Sequence, residues 1–222
     1  MLDGLFGGPK SRSLLGVDIS SSAVKVLELS RSGDKFRVES YAVMSLPPQS
    51  VVEKNLVEVE AVGETIKAVH ARSRSKVNKA AAAVPGSAVI TKILRMPADM
   101  NDNAMETQIS LEADQYIPYP LDEVALDFEV MGVAEDSSDQ AEVMLVACRR
   151  DNVDSRVEAL EIGGLEPKVM DVEAYAVERS FELMAGQLGC DENTVVAIVD
   201  IGASMTSLSV IVNNETVYTR DQ

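Results

Sequence analysis

The chain has 222 residues, enough for one or two domains. It is 46% hydrophobic and 25% charged, the composition of an ordinary globular protein, and its net charge of −16 disfavours nucleic acid and other polyanions. One histidine and two cysteines leave no room for a clustered His/Cys metal site, a Ser-His-Asp triad or a disulfide framework, and free thiols suit a reducing cytoplasm.

Residues 1–12 carry neither the basic region nor the apolar run of a secretion signal and are expected to be a flexible N-terminus. No segment approaches the roughly 20 apolar residues of a membrane helix. Strand patterns fall at 13–19, 23–30 and 35–46, with a hairpin turn at 31–35 in which Gly33 is free to take positive φ. Val52, Leu56, Val59, Val62, Ile66 and Val69 then recur every three or four residues and predict a helix. The basic stretch 70–79 reads as its solvated end. "AAAAVPG" (80–86) reads as a fully buried strand with a turn after it.

From residue 87 a different unit begins. "AVITKILRMP" is a strand, and the next helix is capped by Asn101 or Asp102 and stopped by Pro118 and Pro120. "VALDFEVMGV" and "AEVMLVAC" are strands, and a helix over about 152–162 is capped by Asp151 and ended by Gly163-Gly164. This β-α-β-β-α pattern reads as an inserted subdomain. "EPKVMDV" (166–172) resumes as a buried strand. A helix at 173–188 carries Ala176, Val177, Phe181, Met184 and Leu188 on one side, with Gly189 after its end. A second strand meander occupies 194–222 and turns at Asn213-Asn214.

The two meanders superpose at an offset of 182 residues, which sets Asp18-Ile19-Ser20-Ser21-Ser22 on Asp200-Ile201-Gly202-Ala203-Ser204. Each copy ends its first strand in an acid and follows it with a turn of small residues. Small residues let backbone N–H groups and short hydroxyls approach anionic oxygens closely. The acids suit Mg²⁺ that keeps its waters, since that ion dehydrates reluctantly. Each motif alone is also an ordinary hairpin turn; the duplication makes the pair specific.

These motifs resemble those of the actin-like ATPase superfamily, whose members include actin, heat-shock chaperones, sugar kinases and the cell-division protein FtsA. "GVDISSSAVKVLEL" is similar to its first phosphate motif and "VVAIVDIGASMTSLSVI" to its second. A closer resemblance is to the PilM family of type IV pilus assembly proteins, carried by "EADQYIPYPLDEVALDFEV" (112–130) and "VMLVACRRDNVDSRVEALEIGGLEPKVMDVEAYA" (143–176) as well. It implies an α/β, actin-like (ribonuclease H-like) fold with an FtsA-type insert, subdomain 1C. Subdomain 1A would comprise 13–86 plus 165–180, the insert 87–164, and the start of subdomain 2A 181–222.

By position, the resemblance assigns Asp18, Ser20, Ser21, Ser22 and Lys25 to the first half-site for ATP, and Asp200, Gly202, Ser204 and Thr206 to the second. Asp18 and Asp200 would hold Mg²⁺ through water. Glu173 matches the cleft acid that orients water in hydrolysing relatives, although an acid in a first helical turn also complements the helix dipole.

The implied function is a cytoplasmic ATP-binding scaffold, peripheral to the inner membrane, in pilus assembly and twitching motility. Its partner is the N-terminal cytoplasmic tail of PilN, seated in a groove between 1A and 1C; itself and other platform proteins are further partners to consider. Any ATPase activity is expected to be slow. The alternatives are an actin-like filament former and a kinase-type ATPase. "AVITKILRMP" and the helix with Ile109, Ala113 and Tyr116, flanked by Met96, Met100 and Met105, are the groove candidates, although the methionines suit a plain core equally. The family continues past the equivalent of Gln222, so a truncated second half-domain is expected, with weakened nucleotide affinity and a surviving peptide groove.

Overall fold

The computed structural model describes residues 13–33, 35–191, 194–213 and 215–222. The expected flexible segment 1–12 lies outside them. Two compact units are present: residues through Ala83 with Val157–Asp171, and Val84–Arg156 with Val172–Gln222.

The first unit is built on β1 (Leu15–Ile19), β2 (Ala23–Ser32) and β3 (Lys35–Ser45), an antiparallel meander. β6 (Lys79–Val84) runs parallel to β1, and β10 (Glu166–Val172) completes the sheet order β10-β6-β1-β2-β3. Inward residues alternate along the strands, as a half-buried sheet requires: Leu15, Val17, Val24 and Val26 are buried while Asp18 is exposed. Helix α1 (Val59–Ser73) lays Val62, Ile66 and Val69 on this face.

Three expectations need correction here. The helix does not begin at Val52. Val51–Val52 and Asn55–Leu56 form a small hairpin, β4 and β5, whose turn residues Glu53 and Lys54 both take positive φ. The buried Ser50 holds this hairpin to the helix start, its carbonyl accepting from the Val57 and Glu58 N–H groups at 2.9 and 3.2 Å. β6 is not fully buried but alternates, Ala80, Ala82 and Val84 pointing inward. β10 is largely half-buried or exposed, because it is an outer strand of its sheet.

Residues of helix α3 (Arg150–Ile162) from Val157 onward pack against α1 with glycines at the contact. A Cβ at Gly63 would sit 2.5 Å from Ile162 Cγ2 and 3.1 Å from the Ala159 carbonyl. Gly163 approaches the Ile66 side chain as closely. Overpacking outweighs the helix propensity that alanine adds, so Gly63→Ala should cost about 1–3 kcal/mol in a urea unfolding midpoint. An unchanged midpoint would show that the helices separate freely.

In the second unit the inserted segment forms β7 (Val89–Pro97), α2 (Asp102–Glu112), β8 (Val124–Val133), β9 (Gln140–Arg149) and the start of α3. The three strands order as β7-β9-β8, all antiparallel. Asn101 caps α2, its side chain accepting from the Ala104 N–H at 3.0 Å. α3 begins two residues earlier than expected, with Asp151 in its first turn, because Arg150 is anchored to the Asp122 and Val124 carbonyls. Met96, Met105, Ile109 and Ala113 are fully inside the insert's core. Of the other groove candidates, Met100 is half-buried, and Tyr116 and Ile93 of β7 are exposed.

Helix α4 (Glu173–Leu188) ends at Gly189, which takes the left-handed cap conformation. It packs Phe181 and Ala185 against Ile211 in the sheet β11 (Val196–Ile201), β12 (Thr206–Val212) and β13 (Glu215–Asp221). Met184 and Leu188, expected on the buried side, are exposed. The sheet also meets the first half of the helix, where the Thr216 N–H donates to Glu178 Oε2 at 2.5 Å.

Candidate functional site

The internal repeat is present in the hydrogen-bond registers. In the first copy Asp18 faces Lys25 and Ile19 faces Val24; in the second Asp200 faces Ser207 and Ile201 faces Thr206. Adding 182 to any β1–β2 pair gives a β11–β12 pair. The irregularity in pairing with the third strand also repeats, between Glu28 and Leu29 and between Val210 and Ile211.

In the first turn Ser20 donates to the Ala23 carbonyl from both its N–H, at 3.0 Å, and its hydroxyl, at 2.9 Å. Ser21 is half-buried and Ser22 exposed. The Lys25 ammonium lies 2.6 Å from Asp18 Oδ2, an opposite-charge pair directly across the hairpin. The partners are 45% and 55% exposed, so the bond is worth about 1 kcal/mol or less and yields readily to a competing anion or cation.

The second turn is closed by Gly202, whose N–H donates to the Met205 carbonyl at 3.0 Å. A Cβ there would lie 2.8 Å from that carbonyl oxygen, so the approach is specific to glycine. Asp200, Gly202 and Ser204 are exposed and Thr206 is half-buried. Ser207, the positional counterpart of Lys25, turns its hydroxyl to Asp221 at 2.6 Å. The Asp200 carboxylate therefore has no facing cation and accepts no hydrogen bond among the described residues.

Each turn thus presents one carboxylate beside short hydroxyls on tightly folded backbone, a donor set that fits half of a hydrated Mg²⁺–phosphate site. Among the described residues no three His, Cys, Asp or Glu side chains gather to hold a metal directly.

Glu173 stands half-buried in the first turn of α4, preceded by Val172, which supplies no side-chain cap. Its electrostatic partner was not anticipated. Arg156 of α3 is 2% exposed and donates to the Asn152 carbonyl at 2.9 Å. Burial pulls its guanidinium below the usual arginine value, and the charge of the Glu173 carboxylate opposes that fall, with Cys148 adding to the opposition. The signal was legible in helix spacing, since Asn152, Arg156, Ala159 and Gly163 fall on one stripe, and a charge on an inward stripe needs a partner.

The neighbouring Cys148 is buried, and burial pushes its thiol above the usual cysteine value while Arg156 pulls the other way. It should react with a maleimide only on unfolding, whereas the half-buried Cys190 reacts in the native protein. Two equally fast thiols by mass spectrometry would contradict this.

No helix among the described residues is long and apolar enough to cross a membrane. A family model described as type IV pilus assembly protein PilM matches residues 16–222. Among solved structures, a chain of the PilM–PilN type IV pilus biogenesis complex is similar at 30% identity and a TM-score of 0.78, over 94% of this chain and 60% of that one. The cytoplasmic domain of EpsL, an inner-membrane component of the type II secretion system of Vibrio cholerae, is similar at 12% identity and a TM-score of 0.53, over 95% of this chain and 71% of that one. This chain therefore spans about 60% of the length of the pilus protein it matches. The fold is that of the actin-like ATPases, and the chain belongs to the family of the type IV pilus assembly protein PilM.

Proposed function

We propose that this chain is the nucleotide-binding part of a scaffold that joins the pilus assembly platform to the cytoplasmic tail of a PilN-type membrane protein. The observation that carries the reading is the pair of acid-tipped hairpins with one register, in a chain 30% identical to a member of the PilM–PilN complex. ATP with Mg²⁺ is the ligand these turns suit. Asp18 and Asp200 hold the ion's waters, while Ser20, Ser21, Ser22, Gly202, Ser204 and Thr206 meet the phosphates. Lys25, whose present bond to Asp18 is exposed and weak, would supply a point charge for a phosphate oxygen. Glu173, whose carboxylate acts on the buried Arg156, would orient the attacking water.

In this reading residues 13–86 with 165–180 form subdomain 1A, 87–164 form 1C, and 181–222 begin 2A. The tail lies in the groove between 1A and 1C. The protein is cytoplasmic and meets the inner membrane through its partner. A net charge of −16 favours a tail that carries basic residues. Calorimetric titration of a synthetic PilN tail peptide into the full-length protein tests the reading. Saturable binding at micromolar peptide is expected, and its absence at high micromolar concentration would remove the scaffold role.

A further inference from the structure

Within the second unit, helix α4 is held by different neighbours along its length. In its first turn the Tyr175 hydroxyl donates to the Met144 sulfur of β9 at 3.3 Å and lies 3.4 Å from the Thr91 hydroxyl of β7. Two residues earlier, Glu173 acts on the buried Arg156 of α3. Thr91, Met144 and Arg156 all belong to the insert. Further along, the Thr216 N–H of β13 donates to Glu178 Oε2 at 2.5 Å, and Phe181 and Ala185 pack against Ile211 of β12. The helix therefore joins the insert to the sheet whose β11–β12 turn carries Asp200 and Gly202. From Tyr175 to Ala185 it spans about 15 Å as one rigid piece.

The joint at the start of this helix has slack. A shallow hollow of about 190 Å³ lies beside Tyr175, bordered by Val89 and Thr91 of β7, Ala174 of α4 and Thr216 of β13. A close-packed interior leaves no such space, and its parts move as one body. The Thr216 hydroxyl is buried with no hydrogen-bond partner among the described residues. The Tyr175 proton can go to the sulfur, a weak acceptor, or to the Thr91 oxygen. Spare room, an unsatisfied hydroxyl and a choice of acceptors give the joint a second packing within reach. Strand β7 is also a groove candidate, and its exposed Ile93 stands two residues from Thr91. A ligand pressed on this strand bears on the atom that Tyr175 meets.

We infer that Tyr175 is a positioning residue: it ties the insert to the start of α4, so that a tail held against the insert changes the affinity of the Asp200 hairpin for Mg·ATP. By linkage, the nucleotide changes the affinity for the tail by the same factor. The path is one of contiguous contacts, from β7 through Tyr175 and the helix to β12 and β13. This rests on the function proposed above and adds how its two ligands communicate.

Calorimetric titration of Mg·ATP into the full-length protein, alone and saturated with the synthetic PilN tail peptide, gives a ratio of dissociation constants. A departure from one of about fivefold or more is expected, the low end of ordinary couplings. Tyr175→Phe deletes the hydroxyl and keeps the ring, so each ligand by itself should bind within about twofold of the wild type, while the ratio falls to within about twofold of one. A hydroxyl with a merely structural role would lower the thermal midpoint and leave the ratio where it was. A wild-type ratio of one, or a ratio that survives in Tyr175→Phe, overturns the coupling role and leaves the proposed function standing. A wild type that fails to bind one of the two ligands overturns the proposed function and the coupling together.

Discussion

Asp200→Ala should weaken Mg·ATP binding to the full-length protein by about 1.5–3 kcal/mol, roughly 10- to 150-fold, while the thermal midpoint without nucleotide stays where it was. The asymmetry follows from what the carboxylate touches. Asp200 is exposed, faces Ser207, and that serine is committed to Asp221. Its removal takes no folding contact away, so the change in apo stability should fall within the roughly 0.5 kcal/mol typical of exposed positions. A charge-assisted hydrogen bond to a water of the bound ion is lost whole. Titration calorimetry and a thermal melt on one preparation decide the matter. A collapse of apo stability with nucleotide affinity intact would make Asp200 a turn-forming residue and nothing more.

Arg156→Ala should lose about 3–5 kcal/mol of unfolding free energy, the scale at which one member of a buried charged pair is missed. The guanidinium is among the largest fully buried side chains of the described residues, so truncation opens a cavity as well as removing a hydrogen bond and a charge. Glu173→Gln should cost less, about 1–3 kcal/mol, since it opens no cavity but leaves the buried guanidinium without the facing charge. Urea denaturation of both variants supplies the comparison. Equal losses would mean that the two side chains act as one closed pair; a negligible loss in the arginine variant would mean that its surroundings admit water.

The duplicated hairpin was readable because one offset of 182 residues aligns the acid and the small-residue turn of both copies. Which residues face one another, Asp18 with Lys25 and Asp200 with Ser207, was not, because the offset relates the copies and leaves the pairing inside each hairpin open. Helix α4 was readable at both ends, since the apolar spacing starts after Val172 and Gly189 stops it. The hairpin at 51–56 was not. The helical spacing runs through Val52 and Leu56, whereas the hairpin buries Val51 and exposes Val52, and its left-handed turn uses Glu53-Lys54, without the Gly or Asn that would announce it. The insert's methionines were ambiguous because burial and a soft binding surface ask for the same side chain. The role of Arg156 was missed although helix spacing sets it on one stripe with Ala159 and Gly163, where a charge needs a partner.

The repeated bulge divides each hairpin into two parts that answer differently to changes in length. From the turn to Glu28 or Val210 the first two strands of the copies agree pair for pair; beyond it, four pairs with the third strand close the first arm and two close the second. One residue inserted on the turn side would reverse inside and outside along the strand and carry the acid's flank with it. Past the bulge the arm can lengthen or shorten by whole pairs and leave the tip unmoved. The distal loop of either hairpin is therefore the place to graft a label, a tag or a foreign epitope without disturbing the end that carries the acid.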